Sequence, residues 1–445
     1  MKRLAQVSFV AMALVLGALP AQAESLSAAV QTTVVSHPQI GVVANDRRAI
    51  DEELNQAFGL FRPQVDLRAD TGAAWSNRWG PSNLQDDGDI LPNLSAQITL
   101  QQMLFDGYNA SSEVDRQENR IRSAAFRVRE TGEFIGLDAV EAYLNVLRSR
   151  QLLELANQNV ADHRSRQDDL SRRERGGAGN MADVNQASAR LAQAEANRAQ
   201  VEGDLREAES RYNSIVGHFP TELTRPQVPL AFMPADEQAA VDAALAGSPT
   251  IHIRDTDIDV ANAELQQTKA TFYPQVTLEG TASRQKDIGG LRTTKDEVGA
   301  GLVLRWNLYR GGADTAREQE FIHRRAEAQS ELDSARREIE ERVRRAWVAR
   351  DSARERAERF ADQVASNESV LSAYIKQFDA GERTLLDTLD AQNELFLSRA
   401  NMITAYYTAM FGDYQILAER GALLASLDVT PVAAASVVSD EQQSR

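Results

Sequence analysis

The chain has 445 residues and a formal charge of −16, from 65 acidic against 49 basic side chains. It contains no cysteine, which excludes disulfide frameworks, thiolate metal sites, cysteine nucleophiles and a lipid-bearing N-terminal cysteine. The acidic excess also excludes the basic footprint of a nucleic-acid binder. Most arginines lie beside Glu and Asp in helical runs, the pattern of solvated, salt-bridged helix surface.

Lys2 and Arg3 precede an apolar stretch from Val7 to Leu19, and Ala21-Gln22-Ala23 fits a small-x-small cleavage site. Residues 1–23 therefore read as a secretory signal peptide, because the apolar run falls short of the roughly 20 residues that span a bilayer. No later window resembles a transmembrane helix.

The rest of the chain is one unit written twice. Leu54, Gln56 and Pro63-Gln64-Val65-x-Leu67 return as Leu265, Gln267 and Pro274-Gln275-Val276-x-Leu278, an offset of 211 that His37-Pro38 and Ser248-Pro249 share. Further on, Leu104, Gly107, Gly177, Asp183 and Ala187 return as Leu308, Gly311, Gly381, Asp387 and Ala391, offset by 204. The difference of seven residues falls between two β-like stretches, where the first copy has the longer loop. The first repeat is expected over 24–218 and the second over 235–427, with a Pro-rich linker at 219–234. Residues 428–445, small and polar, read as a disordered tail.

Each repeat should open with an amphipathic helix, over 26–58 and 235–271. Alternating segments follow near 61–79 and 93–107, then near 272–288 and 295–309. Long polar helices near 108–173 and 312–378 would each run roughly 100 Å at 1.5 Å per residue. Their partners, near 181–218 and 384–424, return after turns that Gly177 and Gly381 permit. Phe134, Leu137, Val140, Tyr143, Leu144 and Leu147 make a narrow apolar stripe of the coiled-coil kind. The alanines of the third helix (Ala182, Ala187, Ala189, Ala192, Ala194, Ala196 and Ala199) let a neighbour approach closely.

The alternating segments carry a membrane signal. Val65, Leu67 and Ala69 alternate with Gln64, Asp66, Arg68 and Asp70; Leu94, Ala96, Ile98 and Leu100 alternate with Ser95, Gln97, Thr99 and Gln101. The second repeat does the same, with Val276, Leu278 and Ala282, then Val298, Ala300, Leu302 and Leu304. Period two over about ten residues marks an outer-membrane strand, apolar toward lipid and polar toward a lumen. Phe61, Phe105, Phe272, Tyr273, Trp306 and Tyr309 gather at one end of the strands, where an interfacial aromatic girdle belongs. Any one segment suits a half-exposed sheet equally well; four in duplicated hairpins behind a signal peptide favour the membrane. Four strands leave an open edge that lipid cannot satisfy. Several copies must then share a barrel, two giving eight strands and three giving twelve.

These residues resemble the TolC-type outer-membrane channels, in particular the branch serving type I secretion, over about 26 to 427. The strand entry Tyr273-Pro274-Gln275-Val276 and the turn Gln377-Phe378-Asp379-Ala380-Gly381-Glu382-Arg383-Thr384-Leu385-Leu386-Asp387 carry the likeness, with Thr388-Leu389-Asp390-Ala391 continuing it. The resemblance implies a mixed α and β membrane protein of duplicated β-hairpins and long coiled-coil hairpins. It implies a homotrimer in outer-membrane lipid, a 12-stranded barrel continued by a 12-helix periplasmic tunnel. It also implies two partners, a periplasmic adaptor (membrane fusion) protein and an inner-membrane pump of ABC or RND type.

Asp387 and Asp390 lie three residues apart and share one helix face. In a trimer each becomes a ring of three carboxylates around a narrow opening, and such rings favour cations. By resemblance, Arg383 ties the closed tip to Asp183, the repeat equivalent of Asp387, through a bond worth about 1.5–3 kcal/mol. Phe378 stands where well-known members have a Tyr and Ala182 where they have a Thr, so a hydroxyl hydrogen bond is missing from that latch. Without the resemblance, the same charges read as helix caps and solvated surface.

No enzyme, cofactor or metal is expected. His37, His163, His218, His252 and His323 are scattered without ligand spacing, and Gly299-x-Gly301 has Leu304 where a dinucleotide loop needs a third glycine. Nucleophile elbows and phosphate loops are absent. The runner-up within the channel class is the outer component of a multidrug efflux pump; the missing lipid-bearing cysteine leans the reading toward protein secretion. A different class, a periplasmic coiled-coil adaptor or structural protein, conflicts with the duplicated hairpins and lipid-facing strands.

Overall fold

The computed structural model describes residues 23–75, 90–288 and 292–436. The expected signal peptide thus lies outside the described residues except for Ala23. The first repeat comprises α1 (Leu26–Ser36), α2 (Pro38–Gly59), β1 (Gln64–Trp75), β2 (Ile90–Phe105), α3 (Asn109–Arg175) and α4 (Met181–Val216). The second comprises α5 (Glu237–Gly247), α6 (Pro249–Lys269), β3 (Gln275–Lys286), β4 (Thr294–Arg305), α7 (Ala313–Asp379) and α8 (Leu385–Glu419), and a short α9 (Leu423–Ser426) follows. The interval from Trp75 to Ile90 is seven residues longer than that from Lys286 to Thr294, which accounts for the shift in repeat offset.

The opening helices, expected as single elements over 26–58 and 235–271, are each two. A residue before proline is crowded out of the helical region, and His37 and Ser248 take extended ψ values of 127° and 126°. Pro38 and Pro249 then start α2 and α6 at the first position, where a missing N–H costs nothing.

The four strands form one antiparallel sheet in the order β1-β2-β3-β4. Register carries the alternation across it: Leu67 faces Ile98, Ile98 faces Ala282, and Ala282 faces Val298. The neighbouring row on the other face runs Arg68, Gln97, Ser283, Glu297. One face is therefore apolar and the other polar. Among the described residues nothing covers the apolar face: Leu67 is 72%, Leu302 69% and Val298 88% exposed. Among the described residues β1 and β4 each pair on one side only.

The helices repeat that order. At the sheet end they pack as α2-α3-α6-α7, and beyond the middle as α4-α3-α8-α7. The two long helices, each of 67 residues, run through both halves, but 25 residues of α3 are buried against seven of α7. Position explains the contrast: α3 is flanked on both sides by its own chain, whereas α7 is an edge.

Midway along α3 the expected narrow stripe is replaced by burial almost all round. Ile135, Ala139, Ala142 and Val146 are enclosed along with Val140 and Tyr143, because α1, the end of α4, α8 and α9 surround this segment. Ala29, Val30 and Thr33 of α1 and Ala240, Val241 and Ala244 of α5 are buried at positions that keep the 211 offset. Of the alanines singled out on α4, Ala187 and Ala194 are buried within the chain.

The segment joining the repeats is docked on this middle. Leu223 bridges Glu24, and the Tyr143 hydroxyl shares its proton between the carbonyls of Glu24 and Thr224 at 2.7 and 2.6 Å. Residues 428–436, expected as part of a disordered tail, instead pack on α2 and α3. Ala434 and Ala435 are small enough to fit against Ala44 and Val128. Arg129 Nε donates to Ala435 O at 2.8 Å, and Thr430 N donates to Gln31 Oε1 at 2.9 Å. The rest of that expected tail, 437–445, lies outside the described residues.

Glu133 anchors the start of this C-terminal strap. It is 6% exposed, and one carboxylate oxygen accepts the N–H groups of Leu423 and Leu424 at 2.9 and 3.3 Å. Burial pushes its pKa from 4.5 up to about 7, against the pull of those two bonds. A carboxyl raised in the fold contributes stability that is fully present below its unfolded pKa and lost as pH rises through the folded one. The window is therefore about pH 4.5 to 7, and the size about 3 kcal/mol. The thermal midpoint of the detergent-solubilised protein should fall from pH 5 to 7.5, and Glu133→Gln should flatten that slope. An unaltered slope in the variant would show that Glu133 is not its source.

Candidate functional site

The two hairpin turns opposite the sheet are built alike. Gly177 and Gly381 both take φ +77°, a left-handed backbone open to glycine without strain. That reversal brings the N–H of Ala178 to Arg173 O and of Glu382 to Gln377 O, each at 2.9 Å, so the last helical carbonyls are satisfied. Asn180 and Thr384 then cap α4 and α8, accepting the N–H of Asp183 at 2.8 Å and of Asp387 at 3.3 Å. Asp183 and Asp387 thus stand in first turns, where the helix dipole favours a carboxylate.

The hairpins are joined to each other at this tip. Leu170, Ala187, Leu385 and Leu389 form a small buried core, with Val184 and Phe378 packed against it. Arg173 reaches from α3 to Asp379 at 2.8 Å and lies 5.8 Å from the Phe378 ring centroid. Arg190 on α4 bonds Asp390 Oδ1 on α8 at 2.6 Å.

Asp387 and Asp390 follow one another along α8, as their spacing implied. Arg383 and Asp183 are not partnered with each other within the chain. Arg383 stacks 3.7 Å from the Tyr374 ring centroid, donates to Gln377 Oε1 at 2.7 Å and stands 3.7 Å from Asp387. Asp183 Oδ2 instead accepts from Asn180 Nδ2 at 2.8 Å.

Arg173, Arg190 and Tyr374 are not marked by the sequence motifs, and Gln377 figures there only as the start of the turn. A signal for Arg190 existed in the repeat register, which sets it equivalent to Glu394 while Asp390 is equivalent to Gln186. Charges that differ between copies are where the two hairpins can bond each other rather than mirror each other.

At the opposite end, the expected girdle residues gather where strands meet helices. Phe61, Phe272 and Tyr273 precede β1 and β3, while Phe105 ends β2 and Trp306 and Tyr309 follow β4. Trp306 Nε1 donates to Phe272 O at 3.2 Å. Phe105, Tyr108 and Tyr273 meet edge to face, with ring centroids 5.5 and 6.1 Å apart. Tyr108 was not anticipated, because the second repeat has Gly312 at its place. Both residues hold positive φ, 69° and 86°. Among the described residues no helix is long and apolar enough to cross a membrane, and no group of side chains could hold a metal ion.

An apolar-faced sheet continued by helical hairpins of this length defines the outer-membrane channel class. The chain belongs to the outer membrane efflux protein family, whose model matches residues 29–218 and 240–409. It is 26% identical over 379 residues to the outer membrane efflux protein BepC of Brucella suis, covering 85% of this chain and 81% of that protein. It is 23% identical over 418 residues to the outer membrane protein TolC of Escherichia coli, covering 90% and 83%. The alkaline protease secretion protein AprF of Pseudomonas aeruginosa is 26% identical over 360 residues, covering 78% and 73%. A crystal structure of a membrane protein from Pseudomonas aeruginosa shares the fold at a TM-score of 0.76 and 16% identity, over 89% of this chain and 90% of that one.

Arg173→Gln removes both the Asp379 pair and the contact with Phe378. Such half-exposed interactions are worth about 1 kcal/mol together. Amide hydrogen exchange at 176–181 and 380–385 should then quicken about fivefold, with α3 near Tyr143 unaffected. Unchanged exchange at both turns would mean that the apolar core alone holds the tip.

Proposed function

We propose that three copies of this chain form a channel-tunnel, a twelve-stranded barrel in the outer membrane continued by a twelve-helix tunnel in the periplasm. The observation that carries this reading is that, among the described residues, β1 and β4 leave unpaired sheet edges beside an exposed apolar face. Backbone groups at such edges are not tolerated in hydrocarbon, and pairing β4 of one copy with β1 of the next removes them. The edge helices α2 and α7 stand in the same order as the edge strands, so one rotation would cover both. Val42 on α2 and Val348 on α7, 67% and 60% exposed, supply apolar surface to such contacts.

At the far end, Asp387 and Asp390 ring the opening, and Arg383 of one subunit latches to Asp183 of a neighbour. Neither latch residue is consumed by a buried partner in its own chain, which leaves both available across a subunit boundary. A periplasmic adaptor and an inner-membrane pump open the tip and supply the substrate. Type I protein secretion is the favoured use, in keeping with the name of AprF and with the absence of a cysteine for lipid attachment. Drug efflux is the second reading, supported by the similarity to BepC, an efflux protein by name.

Single-channel recording of purified protein in a planar bilayer tests the core of this reading. Wild type should give a small cation-selective conductance, and Arg383→Ser a conductance several-fold larger. Equal conductance in both would remove Arg383 as a gate residue while leaving the channel. Membrane-inserted trimers with no conductance would overturn the channel reading itself.

A further inference from the structure

The two carboxylates of the proposed ring have unequal surroundings. Asp387 is held by Thr384, whose hydroxyl donates at 2.8 Å, and its closest cation, Arg383, is 3.7 Å away. Asp390, one helical turn deeper, is met by Arg190 at 2.6 Å, in contact distance of a charge-assisted hydrogen bond. The two partners come from different hairpins, and the buried core of Leu170, Ala187, Leu385 and Leu389 holds those hairpins together beside them. The Arg190 side chain is 31% exposed and that of Asp390 56%, so the pair lies beside that core at its surface.

We propose that Arg190 is the selectivity-determining residue of the tip, neutralising Asp390 so that, of the two carboxylates, Asp387 supplies most of the fixed negative charge. The inference rests on the reading that Asp387 and Asp390 line the opening. An isolated carboxylate attracts cations over a Debye length of about 10 Å at 0.1 M salt. A carboxylate in contact with a guanidinium presents only a dipole, whose field fades within a few ångströms. Each Asp390–Arg190 pair is in hydrogen-bond contact and adds no net charge to the constriction. The guanidinium nearest Asp387, that of Arg383, stands 3.7 Å off and donates to Gln377 Oε1, so Asp387 keeps more of its field. Arg190 acts by this pairing whether or not the ion pair adds stability, since an exposed pair is worth little to the fold.

The repeat supports the assignment from within the chain. The residue equivalent to Arg190 in the second copy is Glu394, and that equivalent to Asp390 in the first is Gln186. One basic side chain therefore answers one acidic side chain, with no second pair by symmetry. The tip loses its pseudo-twofold balance at this level, and selectivity becomes adjustable at one position.

The test is the reversal potential of the full-length protein in planar bilayers under a tenfold potassium chloride gradient. Arg190→Gln should raise the cation-to-anion permeability ratio at least about twofold, because it frees three carboxylates. Asp390→Asn should lower the ratio comparably, Arg190→Gln with Asp390→Asn should return it to wild type, and Arg190→Lys should leave it near wild type. The proposal is overturned if Arg190→Gln leaves the ratio unchanged while Asp390→Asn lowers it, or if the double variant follows Asp390→Asn. Failure of the underlying reading looks different: Asp387→Asn would then also leave the ratio of a conducting channel unchanged. Each variant alters a partly exposed side chain, and its trimer content and thermal midpoint establish that it has folded.

Discussion

Hydrocarbon offers no hydrogen-bond partner, so any strand edge that lies in it must be paired by protein. This constraint organises the molecule. Among the described residues, β1 through β4 present an apolar face with nothing over it and two outer edges with nothing beside them. A water-soluble sheet of that kind would be an aggregation site. In the outer membrane the face has a solvent that suits it, and the proposed assembly supplies the missing neighbours.

The helices obey the same arrangement for a different reason. α2, α3, α6 and α7 follow the order of the four strands, so the chain is a slab whose margins are β1 with α2, then α4, on one side and β4 with α7 on the other. Interior α3 buries 25 residues and marginal α7 only seven, although the two are equal in length and equivalent in the duplication. Two copies of one unit therefore have different environments. Their sequences have diverged accordingly, the marginal helix α7 keeping its surface in paired Arg and Glu such as Arg324 with Glu320.

At the tip, backbone geometry is symmetric and electrostatics are not. The two turns share a glycine conformation, a capping residue and a first-turn aspartate. Arg173 and Arg190 both lie on the first hairpin, and both partners, Asp379 and Asp390, lie on the second. The hairpins consequently hold each other within a chain, while Arg383 and Asp183 keep only local partners. That division separates what keeps a subunit intact from what is free to bind a neighbour.

Much of this was legible in the residues alone. The constant offsets of 211 and 204 established the duplication, period-two alternation located all four strands, and Gly177 and Gly381 marked both turns. Those features are local or periodic, and each residue carries its share of the signal. The breaks at His37 and Ser248 are equally local, since the prolines that follow force both residues out of the helical region. Other features depend on residues far apart in the chain. Leu424 packs against Gly136, where any side chain would collide with it, and Glu133 holds the same segment from nearly 300 positions away. Arg190 and Asp390 are 200 residues apart, and each alone resembles ordinary helix surface. The sequence by itself determined the elements, their duplication and the two-faced sheet, because hydrophobic period and turn chemistry are properties of neighbours. Which charges pair, and which helix is interior, only the tertiary structure decided, because those depend on how two copies of one pattern are laid side by side.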